Sequence, residues 1–142
     1  MACTAHATVL LALAVLVAGG HARTAAAQTW AAGCNLSDIH VSTERTGKAV
    51  AGQPEFRVTV ENRCRCPQNG VQVRCAGGLP SVEPVDESKI RVEDGGVCLV
   101  NDGMMVSRGK PVVFTYAWKT PQEFKPAMAV SRCGYPPSSS SD

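Results

Sequence analysis

The sequence predicts a small all-β protein, an antiparallel β-sandwich stabilised by disulfide bonds. Apolar and polar residues alternate at a period of two in several short segments, which is typical of half-buried strands. Turn-forming glycines and prolines recur between these segments. Seven cysteines occur in 142 residues, a content that is ordinary for a secreted domain and high for a cytosolic enzyme.

The composition limits the classes of function that the chain can have. The length of 142 residues suits one domain. The formal net charge of +2 is too small for nucleic-acid binding driven by electrostatics. The hydrophobic fraction of 44% is too high for a wholly disordered chain.

Residues 1–27 are predicted to be a secretory signal peptide. The apolar run from Val9 to Ala18 is much shorter than the roughly 20 residues of a membrane-spanning helix and fits a signal core. We place cleavage after Ala27, with Ala22 as second choice; a buried, uncleaved helix is the alternative. The mature chain is therefore expected to be extracellular, without membrane insertion.

Cleavage leaves an even number of cysteines, which predicts three disulfides in an exported chain. Sequence alone leaves their connectivity open. A zinc site is the alternative, but the Cys64-x-Cys66 spacing is unlike that of structural zinc ligands, and no metal is predicted. The cysteines expected to pair are Cys34, Cys64, Cys66, Cys75, Cys98 and Cys133.

The clearest strand runs from Glu55 to Cys64, where Phe56, Val58 and Val60 alternate with polar residues. The same alternation predicts a first strand around Ile39–Thr43 and several later strands. The later predicted strands are Lys89–Glu93, Val97–Val100, Val112–Trp118 and Ala127–Cys133.

Asn69-Gly70 is a strong signal for a two-residue hairpin turn. If it joins two neighbouring strands, Cys64 faces Cys75 on the apolar face, and a bridge between them is geometrically possible. A different register of the loop would remove this pairing.

The domain boundaries follow from these elements. We predict an N-terminal extension over residues 28–33, a β domain over 34–133 and a disordered, Pro/Ser-rich tail over 134–142. Residues 78–88 are rich in proline and charge, so they are expected to form a loop.

Residues suited to catalysis are scarce. His40 is the single histidine after cleavage, and alternation places it on a strand surface. The acid pairs Asp86-Glu87 and Glu93-Asp94 lie in predicted turns, where solvated carboxylates are the rule. We therefore predict no catalytic residue, no cofactor and no enzymatic activity.

Two features suggest contact with sugars. Asn35-Leu36-Ser37 is an N-glycosylation motif in an exported chain. Trp30, Tyr116 and Trp118 would suit a carbohydrate-binding module if they were exposed. Because Tyr116 and Trp118 share the alternation of an apolar strand, core packing is the expected role of both.

Several motifs together resemble the tapetum-determinant-like proteins of plants, in the branch with a Cys-x-Cys pair. The resemblance covers about residues 33–133. It rests on the six-cysteine order and on the segments Val60–Cys66, Val73–Cys75, Val82–Asp86, Cys98–Gly103 and Val113–Trp118.

The resemblance implies a function that composition and periodicity do not reach. Founding members of this family are small secreted ligands for the extracellular domain of a leucine-rich-repeat receptor kinase in the anther, where they help to specify tapetal cell fate. By similarity, the chain is expected to be an apoplastic signalling protein without catalytic activity. A cell-wall carbohydrate-binding module and a disulfide-rich defence or inhibitor protein are the alternatives.

Two groups of residues are candidates for receptor contact. The first is the turn Asn101-Asp102-Gly103 together with the neighbouring Leu99, although these residue types also serve as ordinary turn formers. The second is a set of basic residues expected on the outer face of the first hairpin, where charge also serves solubility. That set comprises Arg57, Arg63 and Arg74.

Overall fold

The computed structural model describes residues 33–134. The predicted signal peptide, the extension up to residue 32 and the tail from residue 135 lie outside the described residues. Within residues 33–134, no helix is both long enough and apolar enough to cross a lipid bilayer.

The described chain forms two antiparallel sheets, which confirms the predicted disulfide-stabilised β-sandwich. The first sheet has the order β1-β2-β6, and the second has the order β4-β5-β3-β7. Two 3₁₀ turns, Leu36–Asp38 and Asn101–Gly103, accompany the strands. The strands are β1 (Ile39–Val50), β2 (Gln53–Asn62), β3 (Gln68–Arg74), β4 (Ile90–Val92), β5 (Val97–Val100), β6 (Val112–Ala117) and β7 (Lys125–Ser131).

The hairpin of β1 and β2 follows directly from its sequence. Val50 pairs with Gln53, so Ala51 and Gly52 form a two-residue turn, and both have positive φ angles of 47° and 78°. Such a turn matches the right-handed twist of the strands it joins. In β2, Phe56, Val58 and Val60 are buried, as the alternation predicts.

The two sheets enclose a core of β-branched and aromatic side chains. Phe56 stacks on Tyr116 with ring centroids 5.3 Å apart, and Phe124 meets Phe114 edge to face at 5.8 Å. Aromatic pairs at these distances stabilise a core beyond the area that they bury. The aliphatic members of the core include Ile39, Val58, Val60, Val71, Val73, Ile90, Val100, Val106 and Val112.

Tyr116 also makes a buried polar contact. Its hydroxyl oxygen accepts a hydrogen bond of 2.7 Å from the backbone N–H of Gln122, and burial raises the pKa of the phenol.

Tyr116→Phe is expected to lower the free energy of unfolding by about 1–2 kcal/mol, because the Gln122 N–H loses its acceptor. Urea unfolding measures the loss. Gln122→Ala keeps the backbone N–H and is the control; equal stability of Tyr116→Phe and the unaltered protein would contradict the assignment.

Buried amides fix the crossing from the first sheet to the second. Asn62 donates to the backbone carbonyls of Cys66 and Val106, each at 2.9 Å. The side-chain oxygen of Asn62 accepts from the Gln68 amide at 3.0 Å and from the Cys64 N–H at 2.9 Å. Because Asn62 and Gln68 are almost fully buried, this network holds the Cys-x-Cys segment in one conformation.

The structure corrects the predicted bridge between Cys64 and Cys75. Asn69 and Gly70 do not form a hairpin turn; they lie inside β3, where a register shift follows Asn69. Since β2 and β3 belong to different sheets, the two cysteines are not cross-strand neighbours. The observed disulfides are Cys34–Cys64, Cys66–Cys133 and Cys75–Cys98.

Candidate interaction surface

The outer face of the first sheet is mostly polar; Val113, opposite Thr59, is its exposed apolar residue. In register across β1 and β2, His40 is opposite Glu61 and Ser42 is opposite Thr59. His40 is exposed on this face. Such a face is typical of a strand surface in contact with solvent.

The outer face of the second sheet carries apolar side chains without cover from another element. One row across the strands consists of Arg91, Leu99, Gln72 and Met128. Arg91 pairs with Leu99, Leu99 pairs with Gln72, and Gln72 pairs with Met128. Val130 continues the same face of β7. Met128 is 52% exposed and Val130 is 43% exposed. We call Leu99, Gln72, Met128 and Val130 the open face.

Positive charge borders the open face. Arg74 and Lys125 are opposite each other at one end of β3 and β7, and both are exposed. At the other end, the Arg132 guanidinium donates to the Asn69 side chain at 3.0 Å. An apolar centre with a charged border is the pattern of many protein–protein interfaces.

The turn Asn101–Gly103 lies beside Leu99 and has an unusual backbone. All three of its residues have positive φ angles, 54°, 55° and 75°. Asparagine, aspartate and glycine are the residues that tolerate this conformation. A Cβ added to Gly103 would lie 3.7 Å from a Leu99 methyl group, so the turn packs closely against Leu99.

Polar contacts hold this turn to the neighbouring segments. The Asp102 carboxylate accepts from Arg91 at 2.6 Å, and the Asn101 N–H donates to the Lys89 carbonyl at 2.8 Å. The Asn101 amide also donates to the Met105 carbonyl at 3.0 Å. Met104, immediately after the turn, is 60% exposed. The result is a fixed turn that presents an apolar side chain to solvent.

Most of the predicted contact residues come together. Leu99, Asn101, Asp102 and Gly103 are neighbours at the end of β5. Sequence reasoning missed Met128 and Val130, although their alternation with alanines in β7 was a usable signal.

The prediction that Arg57, Arg63 and Arg74 share one outer hairpin face was wrong. Arg57 lies in β2 of the first sheet, where it pairs with Glu44 at 3.2 Å, and Arg63 follows that strand and pairs with Glu61 at 3.4 Å. Arg74 lies at the end of β3 in the second sheet. The three arginines therefore do not share one hairpin face.

The aromatic residues do not form an exposed platform in the described chain. Tyr116 is fully buried. Trp118 is half-buried against the core, and the Lys119 ammonium lies 5.9 Å from its ring centroid. Trp30 lies outside the described residues. The observed packing matches the core role expected of Tyr116 and Trp118.

The acid pairs make local structural contacts. Asp86 accepts hydrogen bonds from the Ser88 hydroxyl at 2.6 Å and the Ser88 N–H at 3.0 Å, and these bonds lower the pKa of Asp86. Glu93 pairs with Arg91 at 3.2 Å. These carboxylates stabilise turns and a strand edge.

The cysteine sulfurs lie close enough together to suit a metal, but they are bonded to each other. The sulfurs of Cys34, Cys66 and Cys133 lie within 4.8 Å of one another, and each belongs to a disulfide.

Asn35 follows Cys34 and is exposed, so the glycosylation motif is at the surface.

Comparison with known proteins decides the family. The model of the family described as "Tapetum determinant 1, C-terminal" matches residues 35–133, which include all described strands and five of the six bridged cysteines. The chain belongs to the tapetum determinant 1 family. This membership confirms the resemblance found in the sequence.

Two plant relatives of the family are similar to this chain. It is 33% identical over 110 residues to TPD1 protein homolog 1A of Oryza sativa subsp. japonica, covering 71% of this chain and 47% of the relative. It is 33% identical over 86 residues to TPD1 protein homolog 1 of Arabidopsis thaliana, covering 59% and 48%. The chain thus spans about half the length of these relatives. No solved structure matches it.

Proposed function

We propose that this protein is a secreted, non-enzymatic signalling ligand that binds the extracellular domain of a leucine-rich-repeat receptor kinase. The proposed setting is the plant apoplast, in the specification of anther and tapetal cells. The observation that carries the proposal is the open face, presented by a domain of the tapetum determinant 1 family. The names of the rice and Arabidopsis relatives support membership of this family.

The disulfides support an extracellular location. Six cysteines form three bridges in about one hundred described residues, and such bridges persist in oxidising compartments. The predicted signal peptide provides the route of export.

The architecture suits recognition of a partner. Strands hold the open-face side chains in register, and the Asn101–Gly103 turn is fixed by its contacts with Arg91, Lys89 and Met105. A surface that is already ordered loses less conformational entropy on binding, so more of the contact energy contributes to affinity.

The composition of the open face specifies the chemistry of the partner. Leu99, Met128 and Val130 require an apolar counterpart that excludes water. Arg74 and Arg132 favour acidic residues around that counterpart, because complementary charge increases the rate and specificity of association. We therefore expect a receptor surface with an apolar centre and an acidic border.

Charge introduced at the centre of the open face tests this function. Leu99→Glu and Met128→Glu are each expected to weaken binding to the cognate ectodomain at least about tenfold, since a buried, unpaired carboxylate is costly. Titration of the refolded domain against a panel of leucine-rich-repeat ectodomains measures the dissociation constants. Ser42→Glu, on the outer face of the first sheet, is the matched control and should bind like the unaltered protein.

One result would contradict the proposed ligand function, and a second would contradict only the proposed contact surface. If no ectodomain binds the domain and the domain is retained on insoluble glucans or pectin, the carbohydrate-binding alternative is favoured. If an ectodomain binds and only Ser42→Glu weakens it, the ligand function stands but the open face is not the contact surface.

A further inference from the structure

Two of the three disulfides lie side by side. Cys34–Cys64 and Cys66–Cys133 are separate bridges, but the sulfurs of Cys34, Cys66 and Cys133 all lie within 4.8 Å of one another. The Cys34 sulfur also lies 3.5 Å from the Cys66 carbonyl oxygen. We call these two bridges the disulfide pair.

The disulfide pair is accessible to solvent at one of its ends. Cys133 is exposed, and Cys66 is half-buried. The third bridge, which we call the core bridge, is enclosed, because Cys75 is 2% exposed and Cys98 is 0% exposed. A dissolved thiol can therefore reach Cys133 in the folded protein, whereas it reaches the core bridge only after unfolding.

Positive charge accompanies the accessible bridge. Arg65 precedes Cys66 and Arg132 precedes Cys133, and both arginines are exposed. The attacking species in thiol–disulfide exchange is a thiolate, and a neighbouring cation favours this form of the thiol. The same cations stabilise the Cys66 thiolate as it leaves. The surroundings therefore favour attack at Cys133 with Cys66 as the leaving group.

Hydrogen bonds hold Cys66 and Cys34 next to each other independently of the accessible bridge. The Asn62 amide donates to the Cys66 carbonyl at 2.9 Å, and the Cys34 N–H donates to the Ser131 hydroxyl at 2.9 Å. Neither bond involves a sulfur atom, so neither requires that Cys66 stays bonded to Cys133. A Cys66 thiolate is thus already positioned for reaction within the chain.

We propose that the disulfide pair is a thiol-exchange site, at which a small thiol attacks Cys133 and the exchange passes on to Cys34. In the first step the thiolate forms a bond to the Cys133 sulfur, the Cys66–Cys133 bond breaks, and Cys66 leaves as a thiolate. In the second step Cys66 forms a bond to Cys34, and the Cys34–Cys64 bond breaks. The Cys64 thiolate takes up the proton that the attacking thiol gave to water. One thiol is consumed and one is formed, so the sequence involves no net oxidation or reduction.

Exchange detaches the end of β7 from the Cys-x-Cys segment. β7 ends at Ser131, and in the product Cys133 carries the small thiol in place of its bond to Cys66. Because β7 contains Met128 and Val130, the open face loses its covalent link to the segment that follows β2. The proposal does not depend on receptor binding, and its test contains no receptor.

Reduced glutathione added to the folded protein at neutral pH tests the site. Samples are quenched with acid at early times, free thiols are alkylated, and the tryptic digest is analysed by mass spectrometry. We expect glutathione on Cys133, a link between Cys34 and Cys66, and alkylated Cys64. Cys66–Cys133 should open at least about tenfold faster than the core bridge, because only the enclosed bridge requires unfolding.

Charge reversals at the two ends of β7 test the role of the positive charge. Arg132→Glu should slow the modification of Cys133 several-fold, since it repels the attacking thiolate. Lys125→Glu makes the same change in net charge at the opposite end of β7; it is the matched control and should react like the unaltered protein. The opening rate of the core bridge reports whether either variant unfolds more readily.

Three results would overturn the proposal. The first is equal opening rates of Cys66–Cys133 and the core bridge. The second is glutathione on Cys34 or Cys64 while Cys66–Cys133 is intact. The third is opening of Cys66–Cys133 without formation of the link between Cys34 and Cys66. Equal reaction of Arg132→Glu and the unaltered protein would overturn the role of the charge.

Discussion

Cys98→Ser is expected to prevent accumulation of the folded protein. Cys98 is fully buried and bridges β5 to Cys75, 23 residues earlier in the chain. Loss of a bridge of this span costs about 3 kcal/mol, and an unpaired serine hydroxyl in the core costs about 1–3 kcal/mol more. Together these losses consume a large part of the stability of a typical domain, which is about 5–15 kcal/mol.

Thermal unfolding and the yield of secreted protein measure this effect. The double variant Cys75→Ala/Cys98→Ala is the matched control, because it removes the bridge without leaving a buried hydroxyl or a free thiol. It should be less stable than the unaltered protein and more stable than Cys98→Ser. A melting temperature and a yield of Cys98→Ser equal to those of the unaltered protein would contradict the structural role of this bridge.

Cys64→Ser is expected to scramble a second disulfide. The substitution frees the Cys34 thiol, whose sulfur lies within 4.8 Å of the sulfurs of Cys66 and Cys133. A Cys34 thiolate that attacks the Cys66–Cys133 bridge forms a bond to one of its two sulfurs. The other sulfur is released as a thiol, with no net oxidation. The expected product is a mixture of disulfide isomers.

Removal of both partners should prevent this exchange. Cys34→Ser/Cys64→Ser lacks the attacking thiol, so it should contain only the other two bridges and unfold as a single species, even though it also lacks one bridge. Peptide mapping after alkylation at low pH distinguishes the two variants. If Cys64→Ser keeps Cys66–Cys133 intact and Cys34 as a free thiol, the expected exchange does not occur.

The strands could be predicted from the sequence because their signal is local. In β2, the alternation of Phe56, Val58 and Val60 with polar residues reports directly which face is buried. The turn Asn101–Gly103 was found for the same reason, since its residue types tolerate the conformation that they adopt.

The predicted pairing of Cys64 with Cys75 was wrong because the same local sequence signal fits two different backbone structures. A glycine with positive φ serves a two-residue hairpin turn and also an irregularity within a strand. Gly70 has a φ of 57° and lies inside β3, which starts after the chain has crossed to the second sheet. Whether Gly70 forms a hairpin turn or an irregularity within a strand depends on the distant strand β7, which pairs with Asn69.

Long-range neighbours also explain what sequence reasoning missed in the candidate sites. Met128 joins the open face because β7 pairs with β3, more than fifty residues earlier in the chain. The alternation of Met128 and Val130 with alanines marks one face of β7, but it does not show which strand pairs with β7.

A disulfide map of the secreted protein tests the central claim, that this family domain is a sandwich held by three specific disulfides. Trypsin cleaves after lysine and arginine, and such residues separate all six cysteines, including Arg65 between Cys64 and Cys66. Mass spectrometry of the unreduced digest should find three linked peptide pairs. A Cys64–Cys75 link or free thiols at these positions would contradict the account; the expected pairs are Cys34–Cys64, Cys66–Cys133 and Cys75–Cys98.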